Sequence, residues 1–415
     1  MPEVHQVHSP WFTRYRAFHS LEQPEWRKLW IVGHLWHLPF WMDYMVLGWV
    51  VLQRTDSPFL VALVGVFRLI PIGSLGFLAG VQADRLPKKQ LLILAQSFNF
   101  VVAACLAITL HLGVLDLWHI YLAATLIGSA WAIDYPVRNA LIRDIVPEGS
   151  IVNAMAINAA SLMGAAMVGR WLAGGLLDQA GPATAYGFIA ISILLGLLLL
   201  PGVSTPVRED RKNTRQSISK DVIEGLKYAW RTPAIRGVMI VTVAANLLVF
   251  PAAQLHPVFA RDVFGVGPLA LGFMSGMDGL GSLMGAVVIA ALGSLRYRGA
   301  VYITGTLIMG VGVLLFSLAP FYSLALPPLL LAGLGQSGFV VMQTAIPTTT
   351  SSPAMRGRAM GAIALAIGML PLGMLYLGLM AEWIGAPRAV TYNCLAFLVI
   401  MLFAAAFQPG LRKVA

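Results

Sequence analysis

A charged side chain inside a long apolar run needs a partner or a task, because a charge at membrane depth costs about 3 kcal/mol or more. Asp43 and Arg68 are two such residues. Asp43 lies about 13 residues into the first apolar run, roughly 20 Å along a helix, and Arg68 lies at comparable depth in the second. Two readings stay open for them. One is a structural ion pair; the other is proton coupling, in which Asp43 meets each side of a membrane in turn with Arg68 near or far. Arg170 and Asp278 form a second candidate set, about seven and ten residues from the same ends of their runs, so at similar depths. They could pair, Arg170 could hold an anionic substrate, since a guanidinium suits carboxylates and catecholates, or Arg170 could snorkel without a role. His34 and His37 stand one helical turn apart among Trp30, Trp36, Phe40, Trp41 and Tyr44. No third and fourth ligand accompanies them at matching spacing, so a metal site is not expected. Packing histidines, a proton relay, or contact with a flat aromatic substrate are the alternatives. Asn246, Gln343, Gln336, Gln254 and His256 are further polar groups inside apolar runs, able to line a cavity or to join helices.

The elements that must position these residues are membrane helices. The chain has 415 residues, 58% hydrophobic and 11% charged, against about 25% charged for soluble domains. The periodicity predicts twelve spans at 30–52, 57–80, 89–112, 115–137, 152–177, 183–201, 235–257, 268–292, 300–320, 324–346, 359–383 and 389–407. The expected division is a tail over 1–29, a six-helix bundle over 30–201, a linker over 202–234, a second six-helix bundle over 235–407 and a tail over 408–415. Within the linker, Ile218, Val222, Leu226 and Ala229 recur at helical spacing, with Lys220, Glu224 and Lys227 off that face. This reads as an amphipathic surface helix. The first 28 or so residues show no cleavable signal pattern, so the first span is expected to be retained.

Orientation follows from charge. With the N-terminus in the cytoplasm, 23 of the 28 Lys and Arg fall in cytoplasmic segments or at the cytoplasmic edges of spans, three on the other side (Arg54, Arg261, Arg388) and two deep inside spans (Arg68, Arg170). Both termini are therefore expected in the cytoplasm of a cell (inner) membrane. The net charge of +10 belongs to these loops, and no nucleic-acid motif accompanies it. Cys105 and Cys394 both lie inside spans, which argues against a disulfide framework.

Between the second and third spans stands Gly80-Val-Gln-Ala-Asp84-Arg85-Leu-Pro-Lys88-Lys89. It resembles the loop signature of the major facilitator superfamily, with Pro87 where that family usually has glycine. Asp134-Tyr-Pro136-Val-Arg138 through Asp144-Ile-Val-Pro147, Glu224-Gly225 with Trp230-Arg231-Thr-Pro233, and Arg356-Gly-Arg358 with Pro371-Leu-Gly373 are similar to the branch that holds enterobactin exporters and macrolide-efflux proteins. The resemblance spans nearly the whole chain. It implies the major facilitator fold and a drug- or siderophore-type exporter, often a proton antiporter. It also implies that Gly80, Asp84, Arg85, Lys88 and Arg138 form a cytoplasmic latch, with Asp84 meeting Arg138 and the start of helix 11. Arg170 stands where antiporters of this superfamily carry a proline.

The expected function is thus secondary active export of a small organic molecule, siderophore or drug-like. The expected partners are lipid bilayer, substrate and protons, the expected state is a monomer, and no cofactor is expected. An importer or a lysophospholipid flippase of the same fold, or a non-transporting membrane sensor, are the rivals. No GxSxG, HExxH or comparable motif lies in a span, so an intramembrane enzyme is not expected.

Overall fold

Long apolar runs in lipid leave the backbone one economical choice, which is to bond within itself as helix. The computed structural model describes residues 16–83, 87–205, 218–292, 297–352 and 355–407, and these are helical apart from short turns. The first half comprises α1 (Pro24–Thr55), α2 (Pro58–Ala83), α3 (Lys88–His111), α4 (Leu117–Ile145) and the stretch Ile151–Leu199. That stretch is two spans, α5 (151–180) and α6 (182–199). Gly181 breaks it at φ 78°, and Pro182 opens α6, where its missing N–H leaves no bond unmade.

The second half begins with the surface helix α7 (Ile218–Arg231) and α8 (Pro233–Leu248). It continues with α9 (Pro268–Ala291), α10 (Arg298–Ser317), α11 (Tyr322–Thr350), α12 (Arg356–Ile367), α13 (Leu370–Ile384) and α14 (Ala386–Phe407). α12 and α13 are two pieces of one span. Gly385, at φ 83° two residues before Pro387, repeats between α13 and α14 the break that Gly181 makes in the first half. Ten helical stretches among the described residues are long and apolar enough to cross a membrane. One of them is the divided α5–α6 stretch, and α2 adds a further span, which makes twelve.

Two spans differ from their expected outlines. α4 runs to Ile145 rather than stopping near 137, so Arg138 is a buried helical residue and not a loop charge. Asp134, one turn earlier, accepts two hydrogen bonds from Arg138, Nε at 2.9 Å and Nη2 at 2.8 Å, which lets the guanidinium stay inside the bundle. The seventh span is not one straight helix. Pro251 and Pro257 remove two N–H donors, and beyond Leu248 the chain passes through tight 3-10 and π turns to Val263.

The buried apolar side chains show how the halves meet. Let the terminal end be the one where α1 starts and α14 finishes, and the far end the one with the α1–α2 turn. At the far end one cluster takes Val46, Val61 and Ile189 from the first half together with Leu255, Met274 and Leu377 from the second. At the terminal end the halves keep separate cores. Trp26, Leu92 and Leu141 lie in one, and Val238, Phe339 and Ile363 in the other.

Candidate functional site

The first centre is built within the first half. Asp43 of α1 forms an ion pair with Arg68 of α2, and Tyr186 of α6 donates its hydroxyl proton to the same carboxylate. All three are buried, Arg68 and Tyr186 at 0% exposure. The Arg68 guanidinium lies over two rings of α1, 5.0 Å from the centroid of Phe40 and 5.3 Å from that of Tyr44. Phe40 and Tyr44 are four residues apart, so one helix face offers both rings. α4 approaches α2 closely enough here that a Cβ on Gly128 would stand on the Arg68 carbonyl oxygen, so glycine is what seats the arginine. Phe40 also stacks on Trp131 (3.9 Å), which stacks on Tyr135 (5.7 Å), a ladder of rings leading from Arg68 to an exposed side chain.

The second centre joins the halves. Arg170 of α5 donates through Nη1 to Asp278 Oδ1 (2.6 Å) and to the Ser275 carbonyl (2.7 Å), both on α9. Its guanidinium lies 4.7 Å from the Trp41 ring centroid. One helical turn of α1 therefore carries the rings for both arginines. Glycines bring α5 and α9 together: a Cβ on Gly174 would be 2.7 Å from the Pro268 oxygen and 2.9 Å from the Gly272 Cα, and one on Gly276 would overlap Trp171. Beside this seam Tyr44, Arg170, Gln254, His256 and Ser275 border a small internal space.

The rest of the far-end seam is polar as well. Gln254 donates to the Val61 carbonyl (2.9 Å). Arg261 donates to the Leu52 carbonyl and pairs with Asp56, each at 2.8 Å. Glu382 of α13 accepts from the Ser57 hydroxyl (2.8 Å) and the Phe59 N–H (3.1 Å) at the start of α2. Among pairs in which both residues are described, every hydrogen bond or ion pair between the halves lies toward this end.

The remaining candidates are distributed. His34 makes a ring-nitrogen contact with the Trp30 carbonyl (2.9 Å) and packs against the Trp30 ring. His37 is buried beside Trp131, and its Nε2 has no hydrogen-bond partner. Gln343 donates to Thr242 Oγ1 at 2.9 Å, which ties α11 to α8 inside the second half, and Asn246 donates at 2.9 Å to the Thr242 carbonyl one turn earlier in α8. Lys88 pairs with Asp144. Gly80 falls within α2, while Asp84 and Arg85 lie outside the described residues.

A family model described as transmembrane secretion effector, a branch of the major facilitator superfamily, matches residues 15–413. The chain belongs to that family. It is a multi-pass membrane transporter and not an enzyme. This transporter is similar to the multidrug efflux pump Tap of Mycolicibacterium fortuitum, 25% identical over 382 residues covering 88% of this chain and 91% of that one. It is also similar to the staphyloferrin A transporter of Staphylococcus aureus, 26% identical over 280 residues and 66% and 69% of the two chains. Its fold is that of a bacterial homologue of the human lysosomal transporter Spinster, solved inward-facing and unoccupied, with a TM-score of 0.71, 15% identity and coverage of 94% and 98%. Three polar residues of the transporter, one in the first centre and two elsewhere, were not read from the sequence as partners of buried or seam groups. Tyr186 and Glu382 carry no local signal, since their partners are 143 and 325 residues away. Asp134 had one, its four-residue spacing from Arg138.

Proposed function

We propose that the protein exports a small organic molecule, siderophore or drug-like, by alternating access coupled to proton antiport. It acts as a monomer in an inner membrane with the terminal end in the cytoplasm. The observation that carries this reading is the contrast between the ends: one shared core at the far end, two separate cores at the terminal end. That is the arrangement of a carrier shut to the outside and able to receive cargo from the cytoplasm. The charge bias of the loops supports the orientation. Asp43 is the proposed proton carrier of the first half, and the Asp84 loop the proposed latch of the terminal end in the opposite state. The similarity to a multidrug efflux pump and to a staphyloferrin A transporter supports cargo of those two kinds.

Inside-out vesicles test this. Labelled carboxylate siderophore or a panel of cationic and neutral drugs should accumulate when the interior is acid, and a protonophore should abolish accumulation. Accumulation confined to right-side-out vesicles would mean import instead.

A further inference from the structure

We infer that His256 is a second proton site, loaded when the far end opens. The inference rests on the alternating-access reading above. His256 is 5% exposed and lies in the irregular segment between α8 and α9. Its Nδ1 stands 3.2 Å from the Ser275 hydroxyl, and its ring meets Phe316 edge-on. Ser275 sits one turn before Asp278 on α9, and its carbonyl accepts from the same Arg170 nitrogen that holds Asp278. The groups facing the imidazole from the elements packed on it are Ser275 and Asp278 of α9, Arg170 of α5, Tyr44 of α1 and Phe316 of α10. Arg170 and Asp278 are the charges that act on it.

The ownership of these groups decides what opening does. Arg170 belongs to the first half; His256, Ser275 and Asp278 all belong to the second. With the far end shut the site holds one positive and one negative charge. A proton on His256 would then add an unmatched positive charge in an apolar setting, which is costly. When the halves part, Arg170 leaves with its own half. Asp278 is then a carboxylate at membrane depth without its counter-ion, while His256 stays one hydrogen-bonded residue away. A proton from far-side water, bonded to an imidazole nitrogen, restores the balance of one positive and one negative charge, and no electrons change hands. Closure brings Arg170 back and displaces that proton. Opening thus binds a proton, and acid on the far side must favour the open state.

Spin labels on Leu112→Cys and Phe321→Cys, exposed far-end positions of the two halves, report the opening in a background where Cys105 and Cys394 are replaced by serine. The full-length protein in liposomes should show the open distance increasingly populated from about pH 8 to pH 5, by up to about tenfold per pH unit for one coupled proton. His256→Gln should remove that component, and Asp278→Asn, which abolishes the need for a counter-ion, should remove it too. Curves for His256→Gln that superimpose on the wild type would overturn the inference, as would a wild type whose opening ignores pH. If His256→Gln does not fold, His256→Asn takes its place: a flattened curve supports the site and an unchanged one overturns it. A far end that opens under no condition, with or without substrate, would instead defeat the alternating-access reading itself.

Discussion

The arginine–carboxylate pairs of the two centres differ in what they join. Asp43 and Arg68 belong to one half, sealed in with Tyr186 and two rings of α1. Arg170 and Asp278 belong to different halves, and Asp278 keeps 19% of its side chain exposed. The proposed rocking of the halves would leave the first pair intact and part the second. The first is therefore a fixed member of its bundle, whose loss is felt as stability. The second is a bistable contact, whose loss is felt as a shift between states. Any proton that Asp43 carries has to enter by a local movement of α1 against α2, because the rocking itself does not separate it from Arg68.

The largest expected effect is on the sealed pair. Asp43→Ala leaves a fully buried guanidinium without a counter-ion, and breaking such a pair costs about 3–5 kcal/mol. The thermal midpoint in detergent should fall steeply, and Asp43→Ala with Arg68→Met should recover most of the loss. Arg170→Ala should leave the midpoint nearly in place. Equal destabilisation by the two single substitutions would erase the distinction drawn between the pairs.

Next comes the seam pair. Losing a hydrogen bond to a charged group costs about 1.5–3 kcal/mol, roughly a tenfold to hundredfold change in the ratio of states. Arg170→Glu should raise the far-end-open population by that order and cripple transport. Adding Asp278→Arg should restore both. A folded double variant that transports no better than Arg170→Glu would point to a substrate contact at Arg170 instead.

A third effect sharpens the contrast through backbone packing. Gly174→Ala would put a methyl 2.7 Å from the Pro268 oxygen at the seam. Overpacking of this kind costs about 1–3 kcal/mol, and here only the closed state bears it, so the open population should rise. Gly164, on the same helix toward the terminal end, has nothing within 4 Å of its Cβ position. Gly164→Ala should leave the balance of states unchanged, which distance measurements on the two variants would check.

How far the sequence carried this picture depends on range. The spans were legible because hydropathy is local; residues counted from a helix end gave Arg170 and Asp278 similar depths, and only the family resemblance implied that their helices face each other. The two side chains stand 2.6 Å apart. The break of the seventh span was less legible: Pro251 and Pro257 lie in an apolar run that still reads as one helix, and proline is tolerated in membrane helices. Arg138 looked like a loop charge because its neutralising partner lies within its own helix. Asn246 and Gln343 were read as lining a cavity or joining helices; Gln343 joins α11 to α8 through the Thr242 hydroxyl, while Asn246 bonds the Thr242 carbonyl of its own helix. Pairings across hundreds of residues, such as Ser57 with Glu382, depend on how the halves are docked, which no local pattern encodes.

The smallest expected effect is at the rim. Arg261 meets the last turn of α1 through the Leu52 carbonyl and the Asp56 carboxylate, while Glu382 accepts from the first N–H of α2, that of Phe59, and from the Ser57 hydroxyl. The second half thus supplies a cation to a helix C-terminus and an anion to a helix N-terminus at one turn of the first half, each complementing the local dipole. Asp56 sits at φ 54°, an unusual conformation for a residue other than glycine, and the Arg261 contact helps hold it there. Both contacts cross the seam, so both must break when the far end opens. Asp56 is 80% exposed, however, and exposed ion pairs are worth about 0–1 kcal/mol and less in salt. Glu382→Gln and Arg261→Gln should each change the open population by no more than about fivefold, and 0.5 M salt should shrink the difference from wild type. The Arg170 substitutions, set deeper, should keep their effect in the same salt. Equal salt sensitivity at the rim and at Arg170 would mean that the deeper pair is as wet as the outer one, and the division into a buried gate and an exposed rim would have to be given up.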